Sequence, residues 1–247
     1  MDIRKYLDST YLKTAEQATI SEEENTEIVK NCIHEALVYE FKLVMIRPEQ
    51  VSLAKNMIVA ANSKVAIGTV IDFPNGDSSI EAKLTEAQIA IKNGADELDF
   101  VIDYTAFKNE AYSKVKEEII EGTTLALKNH KIIKWIIEVA ALSNHQIVQI
   151  TAFIKNTIIS HFQEKDFDKV FIKSSTGFYK TPDGIANGAT ISSIMLMLEN
   201  SVPLQVKAAG GIKSRKEAEE LIQLGVKRIG TSAAKAIVLN ENSNSNY

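Results

Sequence analysis

The sequence predicts a single (β/α)8 barrel. Eight short runs rich in Val and Ile alternate with amphipathic stretches along the 247 residues. No Pro-, Gly- or Ser-rich linker divides the chain, and a glycine-bearing segment follows each of the last three runs. Parallel strands covered by helices read as near-continuous apolar runs, and eight βα units in about this length match one barrel. A doubly wound sheet is the main rival. Its dinucleotide-binding form is weakened because no G-x-G-x-x-G follows an early strand.

The strand candidates in order are 6–12 (YLDSTYL), 41–46 (FKLVMI), 64–71 (KVAIGTVI), 96–102 (DELDFVI), 131–140 (KIIKWIIEVA), 169–175 (KVFIKSS), 203–209 (PLQVKAA) and 227–232 (KRIGTS). Between them, 21–39 opens with Ser21 and has Glu24 three residues on, the spacing of a capping box. The stretch 78–95 is rich in helix formers and ends at Gly94, a C-cap glycine. The stretch from Ser214 to Gly225 repeats the design, and 108–129, 143–163 and 187–200 fill the remaining gaps. One domain over 1–239 is expected, followed by a flexible polar tail, 240–247.

Composition narrows the function. With 45% hydrophobic and 24% charged residues, the chain can bury a substantial core. A net charge of -4 argues against a general polyanion or nucleic-acid binder, yet allows a local site for a small phosphorylated ligand. Cys32 is the sole cysteine and reads as a buried helical residue. His34, His130, His145 and His161 are scattered without zinc-like spacing, so no metal is expected. The N-terminus lacks an apolar signal region, and no run is long enough to span a membrane. A cytoplasmic setting is the default expectation.

Charged residues inside apolar strands carry the functional argument. Strand residues alternate between the barrel interior and the helix layer. In the fourth strand Leu98, Phe100 and Ile102 oppose Glu97, Asp99 and Val101. In the sixth, Val170 and Ile172 oppose Phe171, Lys173 and Ser175; in the seventh, Leu204, Val206 and Ala208 oppose Gln205 and Lys207. If the apolar faces meet the helices, Asp99, Lys173 and Lys207 point inward. The first strand could add Asp8 and the fifth Glu138. A single such lysine is as readily a structural ion pair, but two on neighbouring strands with an acid inside are harder to explain that way. Lys173 and Lys207 should sit at similar height. Burial and mutual repulsion then favour the neutral amine, a nucleophile for carbonyl carbon. The glycine segments 175–177, 209–212 and 229–232 lie where this fold holds phosphate.

At these residues the chain resembles the deoxyribose-phosphate aldolase family. The likeness runs from LDSTYLK (7–13) through 67–103 to FIKSSTGF (171–178), VKAAGGI (206–212) and RIGTSAA (228–234). It implies a class I aldolase on a (β/α)8 barrel, free of metal and cofactor. Such an enzyme reversibly cleaves 2-deoxy-D-ribose 5-phosphate to acetaldehyde and D-glyceraldehyde 3-phosphate. By motif, Lys173 would form the Schiff base, Lys207 would tune it and move protons, and Asp99 would be proton donor and acceptor. Asp8 and Thr176 would support the relay. Gly177, Gly210, Gly211, Gly230 and Ser232 would hold the phosphate. The implied partners are a small phosphorylated sugar and acetaldehyde, with no nucleic acid or membrane; a homodimer is compatible with the sequence.

The sequence departs from the family's pattern at Ser9, Met45, Ala233 and Phe178, and in the long segment 178–190. The segment and Ala233 bear on phosphate affinity, for which Lys180 is a candidate substitute. Tyr247 reads as the end of a disordered terminus, with folding over the barrel mouth to assist proton transfer as the alternative. The competing functions are a Schiff-base aldolase for another sugar phosphate and a non-catalytic phosphosugar-binding barrel. The second has no use for two buried lysines. A purely structural barrel is weakest, because buried charges cost stability without contributing recognition.

Overall fold

The computed structural model describes residues 1–182 and 185–241. Its eight parallel strands close in sequence order into a barrel. They are β1 (Leu7–Thr10), β2 (Leu43–Ile46), β3 (Ala66–Ile71), β4 (Glu97–Val101), β5 (Ile132–Ile136), β6 (Val170–Lys173), β7 (Gln205–Ala209) and β8 (Arg228–Thr231). Closure of β1 on β8, with Asp8 beside Gly230, removes both sheet edges and excludes the doubly wound alternative. Each expected strand is present but shorter. The fifth, for example, stops at Ile136, and Glu138 takes a left-handed backbone (φ 54°) leading into a 3-10 turn, Val139–Ala141.

The outer layer consists of α1 (Ala15–Ala18), α2 (Glu22–Tyr39), α3 (Val51–Ala60), α4 (Ile80–Asn93), α5 (Tyr104–Lys108), α6 (Tyr112–Lys128), α7 (Asn144–His161), α8 (Ile191–Ser201), α9 (Arg215–Leu224) and α10 (Ala234–Leu239). Ser21 and Glu24 form the reciprocal cap expected for α2, and Ser214 with Glu217 does the same for α9. Gly94 ends α4 in the left-handed region at φ 109°, a conformation costly for other residues. None of the described helices is long and apolar enough to cross a membrane. Tyr247 lies outside the described residues, so its expected roles have no structural counterpart here.

Two apolar regions flank the barrel wall. The larger lies between strands and helices and includes Ile33, Phe100, Trp135, Ile150 and Ile229. The smaller lies inside the barrel on the β1–β3 side, where Leu12, Leu43, Met45 and Val70 pack with Phe73 and Phe178. The β4–β8 side of the interior is filled by charged side chains instead. Packing in the outer layer is tight where α6 crosses β5. A Cβ on buried Gly122 would come within 2.8 Å of Trp135 Cη2 and 3.4 Å of Phe100 Cε1. Alanine at this position gains about 1 kcal/mol of helix propensity but forces two interlocked rings apart, which costs roughly 1–3 kcal/mol. Gly122→Ala is therefore expected to lower the denaturant midpoint without changing substrate affinity. A raised midpoint would show that the rings yield.

Candidate active site

Alternation along β6 and β7 places Lys173 and Lys207 side by side; the two are register partners. Across the interior, Asp99 on β4 meets both. Its Oδ2 accepts from Lys173 Nζ at 2.9 Å and from Lys207 Nζ at 2.8 Å. The three residues inferred to converge therefore do so, on one carboxylate oxygen. Asp8 joins them: its Oδ2 lies 2.6 Å from Lys207 Nζ, and its Oδ1 accepts from Arg228 Nε at 2.8 Å.

Three members of the group escape the sequence reading. Lys134 on β5 lies 2.6 Å from Asp99 Oδ1 and 2.6 Å from Glu97 Oε2. Arg228 on β8 bridges Glu97 (3.0 Å) and Asp8. The signal for Lys134 was present: a lysine inside KIIKWII is as anomalous as Lys173 inside VFIK. Glu97 shares the inward face with Asp99 by simple alternation. Arg228 adjoins Lys227 at the strand entrance, where a pair of basic residues reads as surface.

The group contains three carboxylates (Asp8, Glu97, Asp99) and four cationic side chains (Lys134, Lys173, Lys207, Arg228), all buried. With every group ionised, one positive charge is uncompensated in a medium that penalises it. Burial would raise the pKa of Asp99, but the charges of Lys134, Lys173 and Lys207 overcome this and hold it well below the usual carboxylate range. Burial also disfavours the Lys134 ammonium, yet Asp99 and Glu97 outweigh it and move its pKa up. Lys173 goes the other way. Burial pushes its ammonium down to about 8, Asp99 opposing and Lys207 and Lys134 assisting. The excess charge thus falls on Lys173, whose ammonium gives up its proton more readily than an ordinary lysine.

A buried lysine elsewhere gives the contrast. Lys83 on α4 donates to the Gly76 and Val101 carbonyls (2.7 and 2.9 Å) and to Glu118, and Asp72 lies 3.3 Å away. This side chain ties the 72–76 loop to the end of β4 and to α6. Lys173 has one hydrogen-bonding partner among the described residues, and it faces a cavity.

That cavity, of about 220 Å³, opens at the C-terminal ends of β6, β7, β8 and β1. Lys173 lies in its wall with Thr176, Gly177, Gly210, Gly211, Gly230 and Ser232, so the whole expected phosphate set lines one space. Thr10, Leu12, Asn187, Ala209, Ile212, Lys213 and Thr231 complete it. Lys213, rather than Lys180, is the lysine at this wall besides Lys173. The long segment contributes directly: Asn187 Nδ2 donates to the Gly177 carbonyl, and Ala189 N–H to the Ala209 and Gly210 carbonyls. A Cβ on Gly188 would lie 2.4 Å from the Gly210 oxygen, so backbone rests on backbone there. Ala233 is buried among core residues and does not line the cavity, and the Ser9 hydroxyl sits 3.6 Å from the Cys32 thiol, in the wall's outer face. Glu138 lies beyond β5, and its carboxyl receives Thr176 instead of joining Asp99. Among the described residues, no group of three or more His, Cys, Asp or Glu is placed to hold a metal.

A family model described as DeoC/LacD family aldolase matches residues 6–237. The chain is 37% identical over 238 residues to the deoxyribose-phosphate aldolase of Thermococcus kodakarensis, covering 96% of each. It is 36% identical over 248 residues to that of Lactococcus lactis, covering all of both. A solved deoxyribose phosphate aldolase from Aeropyrum pernix, described as tetrameric, superposes with a TM-score of 0.77 at 25% identity, covering 96% of this chain and 89% of that one.

The charge count gives an unequal pair of expectations. Lys134→Met leaves Glu97 and Asp99 without their shared cation and is expected to cost about 3–5 kcal/mol in denaturant unfolding. Lys173→Met removes the excess charge, leaving three carboxylates opposite three cations, and should cost distinctly less. Equal losses would contradict the charge balance.

Proposed function

The chain belongs to the DeoC/LacD family of aldolases, and from that premise we propose that it reversibly cleaves 2-deoxy-D-ribose 5-phosphate to acetaldehyde and D-glyceraldehyde 3-phosphate through a Schiff base on Lys173. The observation that carries this reading is Lys173 itself: a buried amine, pushed down to about 8, in the wall of a glycine-rimmed cavity.

The steps follow from the groups present. Neutral Lys173 Nζ attacks the aldehyde carbon of the open-chain sugar, and loss of water gives an iminium, an electron sink. Removal of the C3 hydroxyl proton breaks the C2–C3 bond, releases D-glyceraldehyde 3-phosphate and leaves an enamine. Protonation at C2 and hydrolysis free acetaldehyde and restore the amine. Asp99 acts from its carboxylate form. Its Oδ2, shared by the two amines at 2.9 and 2.8 Å, gives a short path for protons between Lys173 and Lys207. Such acid–base assistance is worth roughly 10²–10⁴-fold. Asp8 holds Lys207 in place from the opposite side.

The phosphate belongs at the other end of the cavity. Gly177, Gly210 and Gly211 all adopt positive φ (82°, 88° and 80°), which turns backbone groups toward the opening. Lys213 adds a cationic side chain. Self-association fits the same reading: Ile191 and Met195 of α8 and the adjoining Val202 expose apolar surface, Val202 at 71%. An aldolase for a different sugar phosphate is the second reading, supported by Asn187 of the long segment, which lines the cavity.

Borohydride reduction in the presence of acetaldehyde tests the chemistry. A single two-carbon adduct on Lys173, absent in Lys173→Leu, is expected by peptide mass spectrometry; scattered labelling of surface lysines would sink the proposal. The trapping rate should climb from pH 6 to pH 7, because the neutral fraction of an amine near 8 grows about tenfold over that range. Lys213→Ala is expected to raise KM for the phosphorylated sugar about tenfold, the loss of one charge-assisted contact. It should leave cleavage of unphosphorylated 2-deoxyribose unchanged; equal effects on both sugars would remove Lys213 from the phosphate site.

A further inference from the structure

Glu138 has no part in the reaction as described, yet it occupies a costly position. It is a non-glycine residue held at φ 54°, ψ 71°, a conformation that costs on the order of 1 kcal/mol or more. The chain on either side is fastened to β6. Ile137 N–H donates to the Lys173 carbonyl at 3.0 Å, and Val139 N–H to the Ser174 carbonyl at 2.9 Å. The twist delivers the side chain inward, where it is 1% exposed. One carboxyl oxygen, Oε2, receives both the Thr176 hydroxyl and the Thr176 N–H. The other, Oε1, is buried with no hydrogen-bond partner.

A carboxylate with one bare buried oxygen is expensive, whereas a neutral carboxyl group tolerates the site far better. In keeping with this, burial pushes the Glu138 carboxyl up to about 7, with Thr176 and then Lys173 opposing. The titratable groups facing it are Lys173 on β6 and Tyr104 on α5. The Tyr104 hydroxyl is itself pushed up by burial and then by Glu138. Lys108, also on α5, donates to the Ala141 carbonyl at 3.0 Å on the exposed side of the turn. Thr176 Oγ1 additionally accepts the Phe178 N–H at 3.0 Å, which fixes its position. Thr176 and Lys173 line the same cavity.

Resting on the Schiff-base reading above, we propose that Glu138 is a proton store for iminium formation, acting on the substrate through the Thr176 hydroxyl. Attack of the Lys173 amine on the aldehyde gives a carbinolamine, and the C–O bond must break for the iminium to form. Thr176 Oγ1 gives its proton to the departing hydroxyl, which leaves as water, and takes the Glu138 proton in its place. The nitrogen lone pair forms the C=N bond. Glu138 ends as a carboxylate near the new positive charge on the Lys173 nitrogen. Hydrolysis runs the same transfers in reverse, so the store is refilled in each cycle. The role is one of positioning and supply; Thr176 is the group that meets the substrate.

The sign of the pH dependence follows. Trapping needs Lys173 neutral and Glu138 protonated. The wild-type rate should rise below about pH 7, level off, and fall above about pH 8 as the product of the two fractions declines. The experiment is borohydride trapping of acetaldehyde on Lys173 from pH 6 to pH 9.5 in the wild type, Glu138→Gln, Thr176→Val and Thr176→Ser. Glutamine keeps the acceptor for Thr176 but has no proton to give. It should slow trapping at least tenfold at pH 6.5 and abolish the alkaline fall. Thr176→Val should do the same, and Thr176→Ser should restore the wild-type profile; this pair decides the matter if Glu138→Gln does not fold. Coincident profiles for wild type and Glu138→Gln, or an alkaline fall retained in Thr176→Val, would overturn the inference alone. No adduct on wild-type Lys173 would overturn the Schiff-base reading and this inference with it.

Discussion

One carboxylate organises the interior. Asp99 accepts three lysines from three strands: Lys134 on β5, Lys173 on β6 and Lys207 on β7. Without it three ammonium groups would share a dry space, and their repulsion would open the barrel or strip them of charge. Glu97 and Asp8 continue the arrangement outward, and Arg228 joins the two, so charged residues from six of the eight strands form one connected group. Within this group Lys173 has the weakest compensation. Lys134 and Lys207 each touch two carboxylates, as does Arg228; Lys173 touches one. The cation with the fewest counter-charges is the one whose ammonium burial pushes down, and it is also the one that meets the cavity.

The apolar half of the interior has a complementary role. Leu12, Leu43, Met45 and Val70 fill the β1–β3 side, Phe178 packs edge-on against Phe73 at 5.0 Å, and the Arg47 guanidinium lies 5.0 Å over the Phe73 ring. Of this cluster Leu12 reaches the cavity wall, opposite the glycine-rich rim. Phe178 packs on the apolar cluster and Asn187 stands at the glycine rim.

Much of this was legible in the sequence, for identifiable reasons. Strand order followed from the regular spacing of Val- and Ile-rich runs. The meeting of Asp99, Lys173 and Lys207 followed from strict alternation, which fixes direction inside a strand. Asp8 was reached by the same rule. Where alternation meets a bend it fails: Glu138 lies past the last paired residue of β5 and is turned by its own backbone. Lys134 was missed because one lysine among five apolar neighbours looked incidental. The role of Arg228 depends on a contact with Asp8 across 220 residues of chain, which no local pattern reports. The docking of Asn187 onto Gly177 and of Ala189 onto the end of β7 is likewise a matter of how a loop folds back, not of composition.

That same contact between Asp8 and Arg228 bears on how the chain is made. Asp8 and Arg228 lie 220 residues apart, and pairings so distant in sequence are slow to form. Until β8 emerges, Asp8 and Glu97 lack a cation that each needs for burial, and β1 lacks its neighbour. An incomplete chain therefore carries Lys173 without the closed wall around it. The buried charge group, and the cavity wall that Gly230 and Ser232 complete, are assembled only with the last strand.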